Sequence, residues 1–198
     1  TYSVEFFGFN GEPLANRTVA WGNAATAPQV TVPSGYTFIG WDKVFTDVRE
    51  NLQVHAIITP NNYTMSFFAL AGTFSNGTNT KSIEASYGSV IGTQENPTRT
   101  GYTFSGWYNN PEFTGQPILF SAQSTMPIGG LDLFAKYTAN TYTITFNAQG
   151  GSVSPSSKTV TFDTAVGTLP NPTKTGHTFL HWIDQSNQVV TADTVYFI

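Results

Sequence analysis

Cysteine is absent from the 198 residues, which excludes disulfides, thiolate metal sites and a cysteine nucleophile. Charge is scarce: Asp, Glu, Lys and Arg make up 10% of the chain, against roughly 25% in a typical globular domain. Eight Lys and Arg against twelve Asp and Glu, with no basic run, leave little to neutralise a phosphate backbone, so nucleic acid is excluded as a partner. No stretch approaches the roughly 20 apolar residues of a spanning helix, and membrane insertion is not expected. Disorder is excluded as well, because 39% of the residues are hydrophobic and the net charge is only −4.

What the chain does hold is aromatic and hydroxyl side chains: 16 Phe, 9 Tyr, 4 Trp, 30 Thr and 15 Ser. Threonine suits a pleated surface through its branched Cβ, so the composition reads as β-rich and extracellular. The chain opens on Thr1 without a signal peptide or sorting tail, and it reads as a monomeric segment of a larger multidomain protein.

The sequence repeats itself. Gly35-Tyr36-Thr37-Phe38-Ile39-Gly40-Trp41 returns 66 residues on as Gly101-Tyr102-Thr103-Phe104-Ser105-Gly106-Trp107, and 141 residues on as Gly176-His177-Thr178-Phe179-Leu180-His181-Trp182. The same two offsets carry Trp21 to Tyr87 and Phe162. Upstream lie three alternating segments, Tyr2 to Phe6, Tyr63 to Phe67 and Tyr142 to Phe146, with the period of a half-buried strand. Turn residues follow each (Asn10-Gly11, Ala71-Gly72, Gly150-Gly151), so each unit is predicted to open with a hairpin. Ala24-Ala25-Thr26, Val90-Ile91-Gly92 and Ala165-Val166-Gly167 are read as a helical turn or two, stopped by the prolines after them. The Gly-aromatic-Thr-Phe block gives a third strand. Leu52 to Ala56, Leu131 to Ala135 and Thr194 to Ile198 give a closing fourth.

Three units result: 1–60, a shorter variant; 61–139, with a 13-residue loop insertion; and 140–198, whose closing strand is cut short. Each is small enough that burial is marginal, and aromatics fill the place of cystine staples. The expected structural core is the set that recurs in register: Tyr2, Trp21, Phe38 and Trp41; Tyr63, Tyr87, Phe104 and Trp107; Tyr142, Phe162, Phe179 and Trp182. The linkers, Thr59-Pro60-Asn61-Asn62 and Thr138-Ala139-Asn140-Thr141, are short.

These segments resemble the Listeria-Bacteroides repeat, the B-repeat of internalin-type surface proteins. The pattern is Y-T-[VI]-x-F, a glycine turn, G-Y-T-F-x-G-W and then L-x-[VL]-x-A. The second unit meets it almost throughout; the third departs at His177 and His181. The resemblance implies a β-rich α+β chain of three small ubiquitin-like β-grasp repeats, each strand, strand, short helix, strand, strand. Strand order alone leaves a sandwich-like packing open. It further implies a non-catalytic stalk or spacer in a cell-wall-anchored or secreted bacterial protein, contributing to adhesion. The rival reading is an adhesin module whose exposed loops, above all Asn109 to Gly130, bind a host protein or glycan.

Gly40-Trp41 and Gly106-Trp107 invite comparison with sugar-binding Gly-Trp modules, but recurrence in register is what a repeated core requires. His177 and His181, four apart, would share a strand face, with Asp184 as a third candidate ligand; coincidence is the preferred reading and no metal site is assigned. No nucleophile motif or phosphate loop accompanies His55, His177 and His181, so neither catalysis nor a cofactor is expected. Asn16-Arg17-Thr18, Asn62-Tyr63-Thr64 and Asn76-Gly77-Thr78 match the glycosylation sequon at the frequency a Thr- and Asn-rich chain produces by chance.

Overall fold

The computed structural model describes residues 1–197, which form twelve strands and, among the described residues, no helix. The expected α+β β-grasp repeat with a short helix is therefore corrected to an all-β chain. The reason lies in where the amides of the supposed helical turns go. Ala25 donates to the carbonyl of Phe45 (2.9 Å), Ile91 to Ser124 (2.8 Å) and Val166 to Thr194 (2.8 Å). An amide engaged across the unit cannot close a helical turn onto the residue four before it. Pro28, Pro97 and Pro170 then fix φ and bias their predecessors toward extended backbone.

Proximity along the fold divides the chain into two units: Thr1–Ser66 with Ser82–Gln94 and Phe120–Asp132, and Phe67–Lys81 with Glu95–Leu119 and Leu133–Ile198. The first holds a four-stranded mixed sheet. Strands β1 (Tyr2–Phe7) and β2 (Pro13–Val19) form the antiparallel hairpin, β4 (Leu52–Pro60) runs parallel to β1, and β3 (Tyr36–Trp41) is antiparallel to β4, in the order β2-β1-β4-β3. Alternation sends Val4 and Phe6 inward to meet Val19, Ala25, Val48 and Val54, with Tyr2, Trp41 and Phe45 packed around them. Phe6 is fully buried, and its transfer from water contributes roughly 1.5–3 kcal/mol.

The middle repeat forms a second four-stranded sheet, order β6-β5-β8-β7, from β5 (Asn62–Phe68), β6 (Thr80–Ser86), β7 (Tyr102–Tyr108) and β8 (Leu131–Ala139). A β-bulge interrupts β3 between Phe38 and Gly40, and β7 between Phe104 and Gly106. Residues three apart on a regular strand face opposite ways. The extra residue, Ile39 or Ser105, resets the alternation so that Phe and Trp share a face, with rings 5.5 Å and 5.4 Å apart. Gly40 and Gly106 take φ of 146° and 138° there, which accounts for the second glycine of the block.

The second unit contains the hairpin β9 (Thr141–Thr145) and β10 (Ser157–Thr161), and a short pair, β11 (Trp182–Ile183) and β12 (Val189–Val190). Residues 176–181 are not a strand, contrary to the expected third strand of that repeat. The expected closing strand at Thr194 to Ile198 is also corrected, Ile198 itself lying outside the described residues. Asp163 donates to the Tyr196 carbonyl (2.9 Å) as Gly22 does to Val48 (2.8 Å) and Gly88 to Met126 (3.0 Å). Residues 194–196 therefore occupy the place of 46–48 and 124–126, the segment that precedes the closing strand. With no strand beside β9 in the position β4 holds beside β1, the block has no ladder to join among the described residues.

Candidate functional site

The block tryptophans pack against the opening strands, Trp41 and Trp107 edge-on and Trp182 tilted. Trp41 lies 5.0 Å from Phe6, Trp107 5.1 Å from Phe67 and Trp182 5.1 Å from Phe146. Phe38 and Phe104 complete the first two clusters. Phe179, although 37% exposed, remains 5.3 Å from Trp182, whose indole N–H donates to Pro170. Trp107 is 2% exposed, too little to stack a sugar. Tyr2, Tyr63 and Tyr142 are half-buried at the strand starts, the last 5.3 Å from Tyr196. The remaining trio differs most: Phe162 is 8% exposed, Tyr87 is half-buried and Trp21 is 63% exposed.

The cause of that difference is the junction between repeats. Strand β4 ends at Pro60 and β5 begins at Asn62, so one residue, Asn61, links them; Asn140 alone links β8 to β9. In the first unit Asn61 donates its amide to the carbonyl of Gly35 (2.8 Å) and accepts the amide of Tyr87 (2.8 Å), while the Thr37 hydroxyl bonds its side-chain oxygen. Tyr36 meets Tyr87 edge-on at 5.6 Å. In the second unit Asn140 donates to Gly101 (2.9 Å) and accepts from Phe162 (2.9 Å), the Thr103 hydroxyl reaches its side chain at 2.7 Å, and Tyr102 meets Phe162 edge-on at 5.5 Å. Four contacts recur in the same order.

Residue types follow from this geometry. Gly35 and Gly101 have φ of 87° and 75°, and a Cβ on either would enter the ring of Tyr87 or Phe162. Asparagine offers the junction both backbone groups and a side-chain acceptor. Each hydrogen bond adds about 0.5–1.5 kcal/mol net, and the edge-on ring pair a similar amount, so one junction is worth on the order of a few kcal/mol. The second junction carries more: the Tyr102 hydroxyl donates to Asp163 (3.1 Å), and Arg99 sits 3.6 Å over the Tyr102 ring. Nearby, Tyr137 donates to the carbonyl of Ala69 (3.0 Å); burial pushes its phenol above the ordinary value, and Arg99 opposes that rise.

The junction asparagines were invisible as anything but linker residues. The available signal was their register, since each stands two residues before the first Tyr of an alternating strand. His177 and His181 are both exposed and outside any strand; the His177 Nδ1 lies 2.9 Å from the Thr175 carbonyl oxygen. In the insertion Asn109 to Gly130, Asn110 closes a turn with Thr114, and Ile118 bonds the Trp107 carbonyl at 2.7 Å.

The model of the Listeria-Bacteroides repeat domain family matches residues 2–62, 63–136 and 142–196. Over 191 residues, 91% of this chain, the sequence is 30% identical to a protein of Evansella cellulosilytica named as a Gly-rich membrane protein, of which it covers 21%. A second protein of that organism, named as a membrane protein, is 27% identical over the same share of the chain and 27% of its own length. Internalin H of Listeria monocytogenes is 38% identical over 88 residues, 44% of this chain and 15% of internalin H. The chain thus spans little more than a quarter, at most, of the relatives it matches.

Proposed function

The chain belongs to the Listeria-Bacteroides repeat family, and on that premise we propose that it is a non-catalytic spacer in an extracellular, bacterial surface protein. We divide it into repeats 1–60, 61–139 and 140–198. The observation that carries this reading is the junction, built twice from the same four contacts around a single linking asparagine. A one-residue link allows little independent tumbling, and docking across it restrains what bending is left. A spacer needs that restraint. In this reading the segment is monomeric within a larger protein. Small-angle scattering of the chain in dilute solution should give an elongated particle of monomer mass; a compact globule would overturn the proposal.

A second reading, adhesion to a host protein or glycan through the insertion of the middle repeat, draws on two large apolar side chains exposed there, Leu119 at 85% and Ile128 at 49%. A pull-down from host-cell lysate that loses its partner when the insertion is trimmed supports that reading, and unchanged capture removes it.

A further inference from the structure

At both intact junctions the receiving surface is an aromatic side chain just past the second hairpin strand, Tyr87 or Phe162. Trp21 holds the same register and the same backbone setting. The residue after it bonds the carbonyl of Val48, as the residues after Tyr87 and Phe162 bond Met126 and Tyr196. Its surroundings otherwise differ in two ways. The indole is 63% exposed, covered in part by the Arg49 guanidinium 4.8 Å from the ring centroid, which Asp47 holds at 3.0 Å. The Trp21 amide, unlike those of Tyr87 and Phe162, donates to no group among the described residues. A large apolar ring and a free donor are thus left side by side at the position that is satisfied in the other two repeats.

We propose that Trp21 is the receiving half of a further junction, and that its occupant is the glycine-aromatic-threonine block of another repeat of this family joined ahead of Thr1. The inference rests on the spacer reading and extends it. The intact junctions define the occupant's chemistry. A glycine whose missing Cβ admits the ring packs against the indole, and the following aromatic meets it edge-on. An asparagine two residues before Tyr2 accepts the Trp21 amide while donating to the glycine carbonyl, as Asn61 and Asn140 do. A sugar stacked on the indole could cover the ring but would not account for the register shared with Tyr87 and Phe162.

The test fuses a copy of residues 61–140 directly to Thr1, which places the copied asparagine two residues before Tyr2 and offers the Gly101-Tyr102-Thr103 block to Trp21. With 5-fluorotryptophan incorporated, and the resonance assigned by Trp21→Phe, the fused chain should show a shifted Trp21 signal that loses its solvent isotope effect. The Trp21 amide should exchange at least tenfold more slowly than in the unfused chain. Gly101→Ala in the copy alone should return both readouts to the unfused values while the remaining tryptophan signals stay in place. Trp21 as exposed in the fused chain as in the unfused one would overturn the inference, as would a cell-wall glycan fraction that protects Trp21 equally in both. Scattering of the unfused chain decides the spacer reading separately: an elongated particle with Trp21 still exposed after fusion sinks this inference alone.

Discussion

The backbone N–H of Phe162 donates to the carbonyl of Asn140 at 2.9 Å, as that of Tyr87 donates to Asn61 at 2.8 Å. Each bond joins the hairpin of one repeat to the residue that follows the closing strand of the repeat before it. The folding of one repeat thereby completes the boundary of its neighbour.

Gly101→Ala should destabilise the chain by about 2–4 kcal/mol, because the new Cβ adds a clash with the Phe162 ring to the strain of a left-handed backbone. Gly176→Ala, in the same register at φ 74° but facing open space, should cost only the backbone strain, about 1 kcal/mol. Urea denaturation of the two variants measures the difference; equal costs would show that the glycine serves its own turn and not the junction.

Trp107→Ala should cost about 3–5 kcal/mol and collapse the middle repeat, since the side chain is 2% exposed against Phe67 and Phe74. Trp21→Ala should cost under about 1 kcal/mol, as substitutions at exposed positions do. Calorimetry of both variants reads this contrast directly.

Appending a copy of residues 129–139 after Ile198 should supply a strand on the side of β9 away from β10, where none lies among the described residues. In β7 and β8, Tyr102 pairs with Ala139 and Trp107 with Ala135, so the copy would bring equivalent partners to residues 177–182. Amide exchange at Thr178 and Leu180 should then slow by at least tenfold, and unchanged exchange would show that His181, in the place of the bulge glycine, prevents the strand.

Stability should also fall at alkaline pH. The Tyr137 phenol has its pKa raised by burial in the folded chain, so its contribution is complete below the unfolded value near 10 and is lost as pH rises through the folded value. Ionisation also removes the donor to Ala69. Tyr137→Phe should cost about 1 kcal/mol at neutral pH and flatten the alkaline limb of a thermal melting profile measured between pH 8 and 11.

What the sequence disclosed depended on whether a signal was local. The period of Tyr2 to Phe6 places β1 correctly, and the hairpins follow from the turn residues behind each alternating strand. Ala24-Ala25-Thr26 tolerates helix locally, but the amide of Ala25 is claimed by Phe45, twenty residues away, so no helical turn forms. Thr194 to Phe197 alternates like a strand, but its place is set by the bond from Asp163 to Tyr196. Phe38 and Trp41 are three apart and share a face only because of a bulge that alternation does not announce. The junction was legible in part: the Gly-Tyr-Thr block stands out by recurrence, whereas Asn61 and Asn140 are marked only by their register, two residues before an alternating strand.

In the spacer reading a single asparagine and a docked glycine block fix one repeat against the next. Because the chain has no cysteine, a pair of spin labels can be placed at will, for example at the exposed positions Asn10 and Thr93 of the first unit. Pulsed electron double resonance between them should give one narrow distance distribution in the otherwise unaltered chain, and Gly35→Ala should broaden it. A broad distribution before any junction substitution would contradict the account.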